Sequence, residues 1–244
     1  MKALVALVLC GGLLGGAAVQ AQTYRVGVEL QGYPPFYSIQ GEQYQGYARD
    51  LLDAFATSQG HRFVYVALPL KRLLNDFLAG KLDFKYPDRP QWSTEQKRGH
   101  LLYYSAATVA YTDAVLVPPA RLGQGKARIR VLGTLRGFTP GPYLEDIQSR
   151  RMGLIETNSI DSLLKMALAG RVDAAFVNPL VARHALVAAG LPADSLVPDP
   201  SLAAVEDYYY LSSQKHPQVI AAFDAFLRSH PEQLQRLRHR YAIE

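Results

Sequence analysis

Two closely similar hexapeptides lie ninety residues apart, LAGKLD at residues 78–83 and LAGRVD at residues 168–173. Each follows an apolar pattern of helical period and precedes an apolar stretch typical of a strand. The glycine stands where a helix would end, because only glycine adopts the left-handed conformation there without a steric penalty. Similarity at this spacing indicates that one structural unit occurs twice. Coincidence in an alanine-, leucine- and glycine-rich chain is the alternative. If the repeat is real, it predicts two lobes with a cleft between them.

The first 21 residues have the pattern of a secretory signal peptide. Lys2 gives a short basic start, residues 3–19 are uncharged, and Val19 and Ala21 supply the small residues of a cleavage site. We expect cleavage near Ala21 and export to the periplasm, with a retained membrane anchor as the alternative. Cys10 is the only cysteine. Bulky Leu9 precedes it, which argues against lipidation.

The chain beyond the signal peptide excludes several classes of function. It has no cysteine, which rules out thiol catalysis, disulfides and cysteine-based zinc sites. The net charge of +5 becomes +4 without Lys2 and is scattered, apart from the basic segment 236–240. We expect no nucleic-acid partner. The six histidines lack metal-ligand spacing, and no nucleophile-elbow or phosphate-loop motif is present. We predict no enzymatic activity, no cofactor and no metal.

Strand-like and helix-like segments alternate in both halves of the chain, which favours mainly parallel sheets flanked by helices. The predicted strands are residues 24–29, 62–67, 82–86, 129–132, 152–155 and 172–177. The predicted helices are residues 46–60, 70–79, 142–151, 159–169, 179–189, 217–229 and 231–241.

Two extended stretches, residues 107–117 and 196–211, fit neither half neatly. We interpret them as the places where the chain crosses between the lobes and returns. Two antiparallel crossings would form a hinge. The sequence therefore predicts a two-lobed α/β fold, with residues 22–110 and 206–244 in lobe one and residues 111–205 in lobe two.

In parallel sheets, ligands bind beyond the carboxyl ends of the strands. Following each hexapeptide to the end of its strand leads to Asp88 in lobe one and Asn178 in lobe two, both beside a proline. These two residues are candidates for facing ligand-binding groups. Asn178 followed by Pro179 fits the N-cap of the next helix equally well.

The end of the first predicted strand brings further candidates. Glu29 ends that strand, and Tyr33 and Phe36 flank a rigid Pro34-Pro35 turn. Aromatic side chains held in this way suit the wall of a small-molecule site. Ordinary core packing is the alternative for both, and it is stronger for Phe36.

A polar, proline-rich loop follows the third strand and carries Trp92, the only tryptophan. Trp92 is a candidate stacking platform, or it covers the edge of the sheet. Lys97 and Arg98 follow on a short helix, where a cation could bind a carboxylate or simply face solvent. In lobe two, Thr134 and Arg136 occupy residues 133–139, interpreted as a loop able to bind an anion.

Taken together, these segments resemble the family 3 extracellular solute-binding proteins, type II periplasmic binding proteins that serve ABC importers of amino acids. The resemblance spans nearly all of residues 24–241. The matching motifs are Tyr33-Pro34-Pro35-Phe36, Gly46-Tyr47-x-x-Asp50-Leu51-Leu52, the two hexapeptides, Thr94-x-x-Lys97 and Tyr104-Ser105.

The resemblance also implies roles for particular residues. Family members hold the ligand carboxylate with an arginine; that position is Lys97 here, or Arg98 after a one-residue shift. They commonly hold the ligand ammonium with an aspartate, where this chain has Asn178. Their small segment after the lobe-one strand is replaced by a bulkier one that runs from Lys85 to Trp92. Lysine lacks the bidentate fork of arginine, and neutral asparagine attracts ammonium weakly. Asp88 or Glu29 could supply the missing acid.

The function that this resemblance implies is capture of a small polar solute, an amino acid or a related compound, between two lobes. The expected partner is an inner-membrane ABC permease, and the expected state is a monomer. A sensing module that contacts a receptor is an alternative. A cyclohexadienyl-dehydratase-like enzyme, with Glu29, Asp88 or Glu156 as the acid, is a second alternative.

Overall fold

The computed structural model describes residues 22–243. The predicted signal peptide, with Cys10, lies outside the described residues. Short 3-10 turns occur at Pro119–Arg121, Lys126–Arg128 and Gly141–Tyr143. The strands are β1 (Thr23–Glu29), β2 (Ser38–Gln40), β3 (Gln43–Gln45), β4 (Arg62–Leu68), β5 (Phe84–Asp88), β6 (Tyr103–Tyr104), β7 (Val109–Val117), β8 (Val131–Leu135), β9 (Gly153–Thr157), β10 (Ala174–Val177), β11 (Val197–Pro198) and β12 (Val205–Ser213). The helices are α1 (Tyr47–Ser58), α2 (Leu70–Leu78), α3 (Thr94–Lys97), α4 (Leu144–Gln148), α5 (Ile160–Leu168), α6 (Pro179–Ala188), α7 (Pro217–Ser229) and α8 (Pro231–Arg240).

The main sheet consists of two parallel parts joined by an antiparallel pair. Its strand order is β4-β1-β5-β12-β7-β10-β8-β9, with β6 and β11 paired at the side. Strands β4, β1 and β5 run parallel in one part, and β10, β8 and β9 run parallel in the other. Between them, β12 and β7 pair antiparallel from Val205 opposite Asp113 to Tyr209 opposite Val109. We call the first part lobe one and the second lobe two. The residue boundaries of the lobes remain a prediction.

The two hexapeptides have the same local structure. Their glycines have φ angles of 71° and 68°, in the left-handed region that follows a helix. Asp83 accepts a hydrogen bond from the backbone N–H of Arg25 at 2.8 Å, at the start of β1. Asp173 accepts one from the backbone N–H of Val131 at 2.9 Å, at the start of β8. In both lobes the aspartate therefore fixes the beginning of the neighbouring parallel strand.

The close packing of a helix against the sheet also repeats between the two lobes. A Cβ atom added at Gly27 of β1 would lie 2.5 Å from the ends of both Leu73 and Leu82. At Gly133 of β8, an added Cβ atom would lie 2.7 Å from Leu163. Leu73 and Leu163 are ninety residues apart, like the hexapeptides. Each lobe thus needs a glycine where its helix packs closely on the sheet, which supports duplication of one unit.

Replacing Gly27 with valine should lower the free energy of unfolding by about 1–3 kcal/mol, because the leucines that crowd it would have to leave their favoured rotamers. Urea denaturation followed by circular dichroism measures the change. Gly141→Ala is the control, since nothing lies within 4 Å of an added Cβ there. An unchanged midpoint for Gly27→Val would contradict the close packing described.

The final helices cover lobe one. Phe223 of α7 packs on Phe55 of α1 with ring centroids 4.9 Å apart, and Tyr241 after α8 meets Tyr47 at 6.3 Å. Phe55 is fully buried, as the helical period of the sequence predicts. Within residues 22–243, no helix is both long enough and apolar enough to cross a membrane.

The structure corrects one predicted strand in lobe two. Residues 129–132 were expected to form it, but β8 is Val131–Leu135. The strand extends further because Gly133 and Leu135 pair with β9, and Gly133 packs against Leu163 of α5. Thr134 therefore lies inside a strand and not in the loop that follows it.

Candidate functional site

The lobes meet at Tyr33, which follows β1. Its side chain is 1% exposed, and its hydroxyl accepts a hydrogen bond from the backbone N–H of Asn178 at 3.0 Å. The same hydroxyl donates to a carboxylate oxygen of Asp113 on β7 at 3.2 Å. The Tyr33 ring lies 5.3 Å from that of Phe138 in lobe two. One side chain thus joins lobe one, a crossing strand and the end of β10.

Asn178 uses its side chain to cap α6. Its amide oxygen accepts hydrogen bonds from the backbone N–H groups of Leu180 at 2.8 Å and Val181 at 3.2 Å. This geometry is that of an N-cap followed by proline at the first helical position. The backbone N–H of Asn178, and not its side-chain amide, therefore faces Tyr33.

Asp88 lies at the end of β5 between two lysines. Lys85 and Lys97 approach the same carboxylate oxygen at 3.0 Å and 2.9 Å, and Ser212 donates to the other oxygen at 2.7 Å. Asp88 is 0% exposed, and both lysines are buried. Burial would raise the pKa of Asp88, but Lys85 and Lys97 together hold that pKa below its ordinary value. We call these three residues the Lys85–Asp88–Lys97 triad.

The triad occupies the position where the resemblance places a cation for a ligand carboxylate. The Lys97 ammonium donates to Asp88 and also to the carbonyl oxygen of Arg89 at 2.7 Å. Burial lowers the pKa of Lys97, although the charge of Asp88 opposes this change. Arg98, the alternative after a one-residue shift, is exposed just beyond α3. Lys97 is thus already paired within the protein, although it shares the single charge of Asp88 with Lys85.

Two further carboxylates lie close to Tyr33. Glu29 is 4% exposed and accepts a hydrogen bond from the Tyr37 hydroxyl at 2.8 Å. Burial raises the pKa of Glu29, against the opposing charge of Lys85. Burial also raises the pKa of Asp113 to about 7, helped by the negative charge of Glu29. Both acids therefore hold a proton more readily than an ordinary surface carboxyl group.

Aromatic rings surround these charges. Tyr111 on β7 and Tyr209 on β12 stack with centroids 4.5 Å apart at 13°. Trp92 lies 6.0 Å from each of them and is partly buried, while the Lys85 ammonium is 5.7 Å from the Trp92 ring centroid. Phe36 is 2% exposed and meets Tyr209 edge-to-face at 5.5 Å. The predicted aromatic wall thus includes two tyrosines of the crossing strands.

Thr134 and Arg136 do not join this group, and the anion-binding loop predicted around them is corrected. The Thr134 hydroxyl donates to the carbonyl oxygen of Phe176 at 3.1 Å, and the residue is 0% exposed. Arg136 is exposed. The backbone N–H of Gly137 donates to Glu156 at 2.9 Å, so the loop binds an acid of its own chain.

Contacts link eight of the predicted site residues to one another through shared neighbours. They are Glu29, Tyr33, Phe36, Lys85, Asp88, Trp92, Lys97 and, through its backbone, Asn178. Asp113, Tyr37, Tyr111 and Tyr209 belong to the same place but were not predicted. A usable signal existed for Asp113, because it is the lone charge in the apolar crossing segment 109–117.

The structure contains an open recess of about 520 Å³ away from the triad. It is lined by the β2–β3 hairpin, the Pro34-Pro35 turn, the first turns of α1, Tyr241 and His184 of α6. Tyr44 borders the recess and none of the predicted ligand-binding residues does. No group of three or more His, Cys, Asp or Glu within residues 22–243 is placed to hold a metal ion.

Comparison with known proteins identifies relatives by structure only. No protein-family model matches the chain, and no curated protein matches it in sequence. An ancestral amino-acid-binding protein, a precursor of cyclohexadienyl dehydratase, shares the fold with a TM-score of 0.69 and 17% identity. That match covers 90% of this chain and 95% of the other.

Two further solved structures are similar over the same extent. A histidine kinase sensor domain with similarity to periplasmic binding proteins has a TM-score of 0.69 and 20% identity, covering 90% of this chain and 95% of that one. An amino acid ABC transporter substrate-binding protein from Streptococcus pneumoniae, bound to L-arginine, has a TM-score of 0.68 and 16% identity, covering 91% and 96%. At these identities the likeness concerns the fold, and it confirms the fold class predicted from the sequence.

Proposed function

We propose that this chain, which has the fold of type II periplasmic binding proteins, is an exported solute-binding protein. It encloses a small polar molecule between its two lobes and delivers it to an ABC importer in the inner membrane. The predicted signal peptide supplies the route to the periplasm. Lobe one comprises residues 22–110 and 206–244, and lobe two comprises residues 111–205.

The observation that carries this proposal is the meeting of both lobes and both crossing strands at one cluster. Tyr33 comes from lobe one, Asp113 and Tyr209 from the crossing strands, and Asn178 from lobe two. A pair of antiparallel connections allows two lobes to rotate as rigid bodies about a hinge. Polar groups buried at such a junction become accessible when the lobes separate and are enclosed when they close, as a solute-binding cycle requires.

The proposed partner is an ABC permease, and a sensor receptor is the second candidate. The histidine kinase sensor domain with the same fold supports the second candidate at the level of architecture only. Affinity purification from detergent-solubilised membranes of the native host distinguishes the two. Recovery of a permease supports transport, whereas recovery of a kinase or another receptor supports sensing.

A thermal-shift screen tests capture of a solute directly. A ligand present at one hundred times its Kd should stabilise the protein by about 2.7 kcal/mol. For a chain of this size that corresponds to a rise in Tm of roughly 5–11 °C. The screen should cover amino acids, amines, small organic acids, sugars and short peptides, together with mass spectrometry of molecules that co-purify.

Two variants show whether a positive result comes from the proposed site. Trp92→Leu should reduce the shift, because it removes an aromatic surface beside Tyr111 and Tyr209. Leu101→Ala should leave the shift unchanged, because Leu101 is 68% exposed. No stabilisation by any compound, and no molecule that co-purifies, would count against the proposal.

An enzyme on this fold is the second candidate function, and one observation favours it. Glu29 and Asp113 both have raised pKa values at the junction of the lobes, so either could hold a proton for general-acid catalysis near neutral pH. Asp88 is unsuited to this role because its pKa is lowered. Incubation with prephenate or arogenate and detection of the aromatic product by absorbance tests this candidate.

A further inference from the structure

The cations at the junction of the lobes are already paired within the protein. Lys85 and Lys97 share the carboxylate of Asp88, and Arg89 forms an ion pair with Asp207 of β12. The triad and this second pair are partly or fully buried. A solute carboxylate would therefore have to compete with a buried aspartate for Lys97. Breaking that pair would leave Asp88 without one of its two partners, which is strongly unfavourable in a buried site.

The two acids nearest Tyr33, in contrast, have no cationic side chain as an ion-pair partner among the described residues. Within residues 22–243, neither Glu29 nor Asp113 has a lysine, arginine or histidine nitrogen within 4.0 Å. Their hydrogen-bond donors are the neutral hydroxyls of Tyr37, at 2.8 Å from Glu29, and Tyr33, at 3.2 Å from Asp113. The two tyrosine rings stack with centroids 5.8 Å apart, so the two acids are hydrogen-bonded to neighbouring rings.

An unpartnered polar atom lies in the same region. The Tyr44 hydroxyl is buried, its residue is 3% exposed, and it has no hydrogen-bond partner among the described residues. Its ring stacks on Tyr37 at 6.3 Å, and the hydroxyl lies within the electrostatic field of Glu29. A buried hydroxyl without a partner is unfavourable unless a donor or acceptor reaches it. A ligand N–H group that reaches Tyr44 would satisfy this phenol oxygen.

The aromatic rings around these acids also favour a cationic ligand. Tyrosine faces attract cations through their negative quadrupole, and this attraction increases when the site is shielded from water. Tyr33, Tyr37 and Tyr209 are each buried next to the acids. A carboxylate placed among the same rings would instead face the negative ring surfaces and two acids that have no ion-pair partner within 4.0 Å.

We propose that the site takes a small organic cation, an amine or guanidine without a carboxylate, held between Glu29 and Asp113. This inference rests on the proposed function, because it assigns a substrate class to the same site. In the Lys85–Asp88–Lys97 triad, the cation at the carboxylate-binding position is already held by Asp88. The amino group of the solute is then bound by acids of lobe one and the crossing strand, and not by the side chain of Asn178.

Pairs of compounds that differ only by the α-carboxylate test this inference on the unmodified protein. The pairs are agmatine and arginine, cadaverine and lysine, tyramine and tyrosine, and histamine and histidine. We expect isothermal titration calorimetry to show at least one amine binding at least about tenfold more tightly than its amino acid.

Equal or tighter binding of the amino acid in every pair would overturn the inference while leaving solute binding intact. Binding only of organic acids or sugars in the wider screen would do the same. Absence of binding by every compound would overturn solute binding itself.

Variants then locate the cation. Glu29→Gln and Asp113→Asn should each weaken binding of the selected amine by about 10- to 100-fold, since each removes one charge-assisted interaction. Asp76→Asn makes the same chemical change on α2, where Asp76 pairs with Lys81, and should leave Kd unchanged. Circular dichroism confirms that each variant is folded. Unchanged affinity in both site variants would overturn the assignment.

The pH dependence of Kd gives an independent readout. The charged and titratable groups that face Asp113 are Tyr33, Glu29, Arg89, Tyr111 and Tyr209. Because burial raises the pKa of Asp113 to about 7, a cation should bind more tightly as the pH rises from 6 to 8. This dependence should be weaker in Asp113→Asn. A Kd that is independent of pH in the unmodified protein would contradict a role for Asp113.

Discussion

Replacing Asp88 with asparagine should lower the free energy of unfolding at pH 7 by about 3–5 kcal/mol, because removing one partner leaves the others as uncompensated buried charges. Lys85 and Lys97 both lie within 3.0 Å of the same Asp88 oxygen, and Ser212 donates to the other. In the variant the two ammonium groups would remain close together without a carboxylate. Urea denaturation monitored by fluorescence and by circular dichroism measures the loss.

Two further variants separate this effect from a general response to losing an aspartate. Asp76→Asn disrupts ion pairs at the surface, with Lys81 and Arg72, and should change stability far less than Asp88→Asn does, because solvent screens these pairs. The double variant Asp88→Asn/Lys97→Met removes one of the two ammonium groups and should recover a substantial part of the loss. A single variant as stable as the unmodified protein would contradict the triad as described.

Asp113 should make the protein less stable as pH rises from about 4 to about 7. Its pKa is raised to about 7 in the folded protein, mainly by burial, whereas the unfolded chain releases this proton near pH 4. Between these values the folded state binds more protons than the unfolded state, so stability falls as pH increases. A shift of three pKa units corresponds to at most about 4 kcal/mol, fully developed above pH 7.

The variant Asp113→Asn isolates this contribution. An asparagine oxygen can still accept the hydrogen bond from Tyr33, but it carries no charge. We expect the variant to match the unmodified protein near pH 4 and to exceed it in stability by an increasing amount up to about pH 7.5. Free energies of unfolding measured in urea at several pH values between 4 and 8 provide the comparison. Parallel pH profiles for the two proteins would show that Asp113 is not the group responsible.

The fold could be predicted from the sequence because its main determinants are local and repeated. Gly80 and Asp83 end one helix and begin one strand, and Gly170 and Asp173 do the same in lobe two. The crossing strands were visible as extended segments that fitted neither half. The start of β8 was predicted two residues too early, since an apolar run does not reveal which residues its neighbouring strands pair with.

The site was less accessible to prediction because it depends on contacts between distant residues. The sequence identifies Lys85, Asp88 and Lys97 as candidates, but their pairing with one another follows only from their position in space. Asp113 stands out in the sequence as the lone charge of segment 109–117, but its raised pKa depends on burial by strands that are far away in sequence. Asn178 was open to two interpretations, and the hydrogen bonds to α6 assign its side chain to the cap.

The hydroxyl of Tyr33 uses both of its hydrogen-bonding roles on its own chain, donating to Asp113 and accepting from the backbone of Asn178. Under the proposed function, a molecule that enters between the lobes must exchange these bonds for its own. The arrangement described is therefore stabilised before any ligand arrives, and the apparent affinity is the intrinsic affinity multiplied by the fraction of time the lobes spend apart. At high ligand concentration, the rate of complex formation would be limited by the opening step and no longer by diffusion.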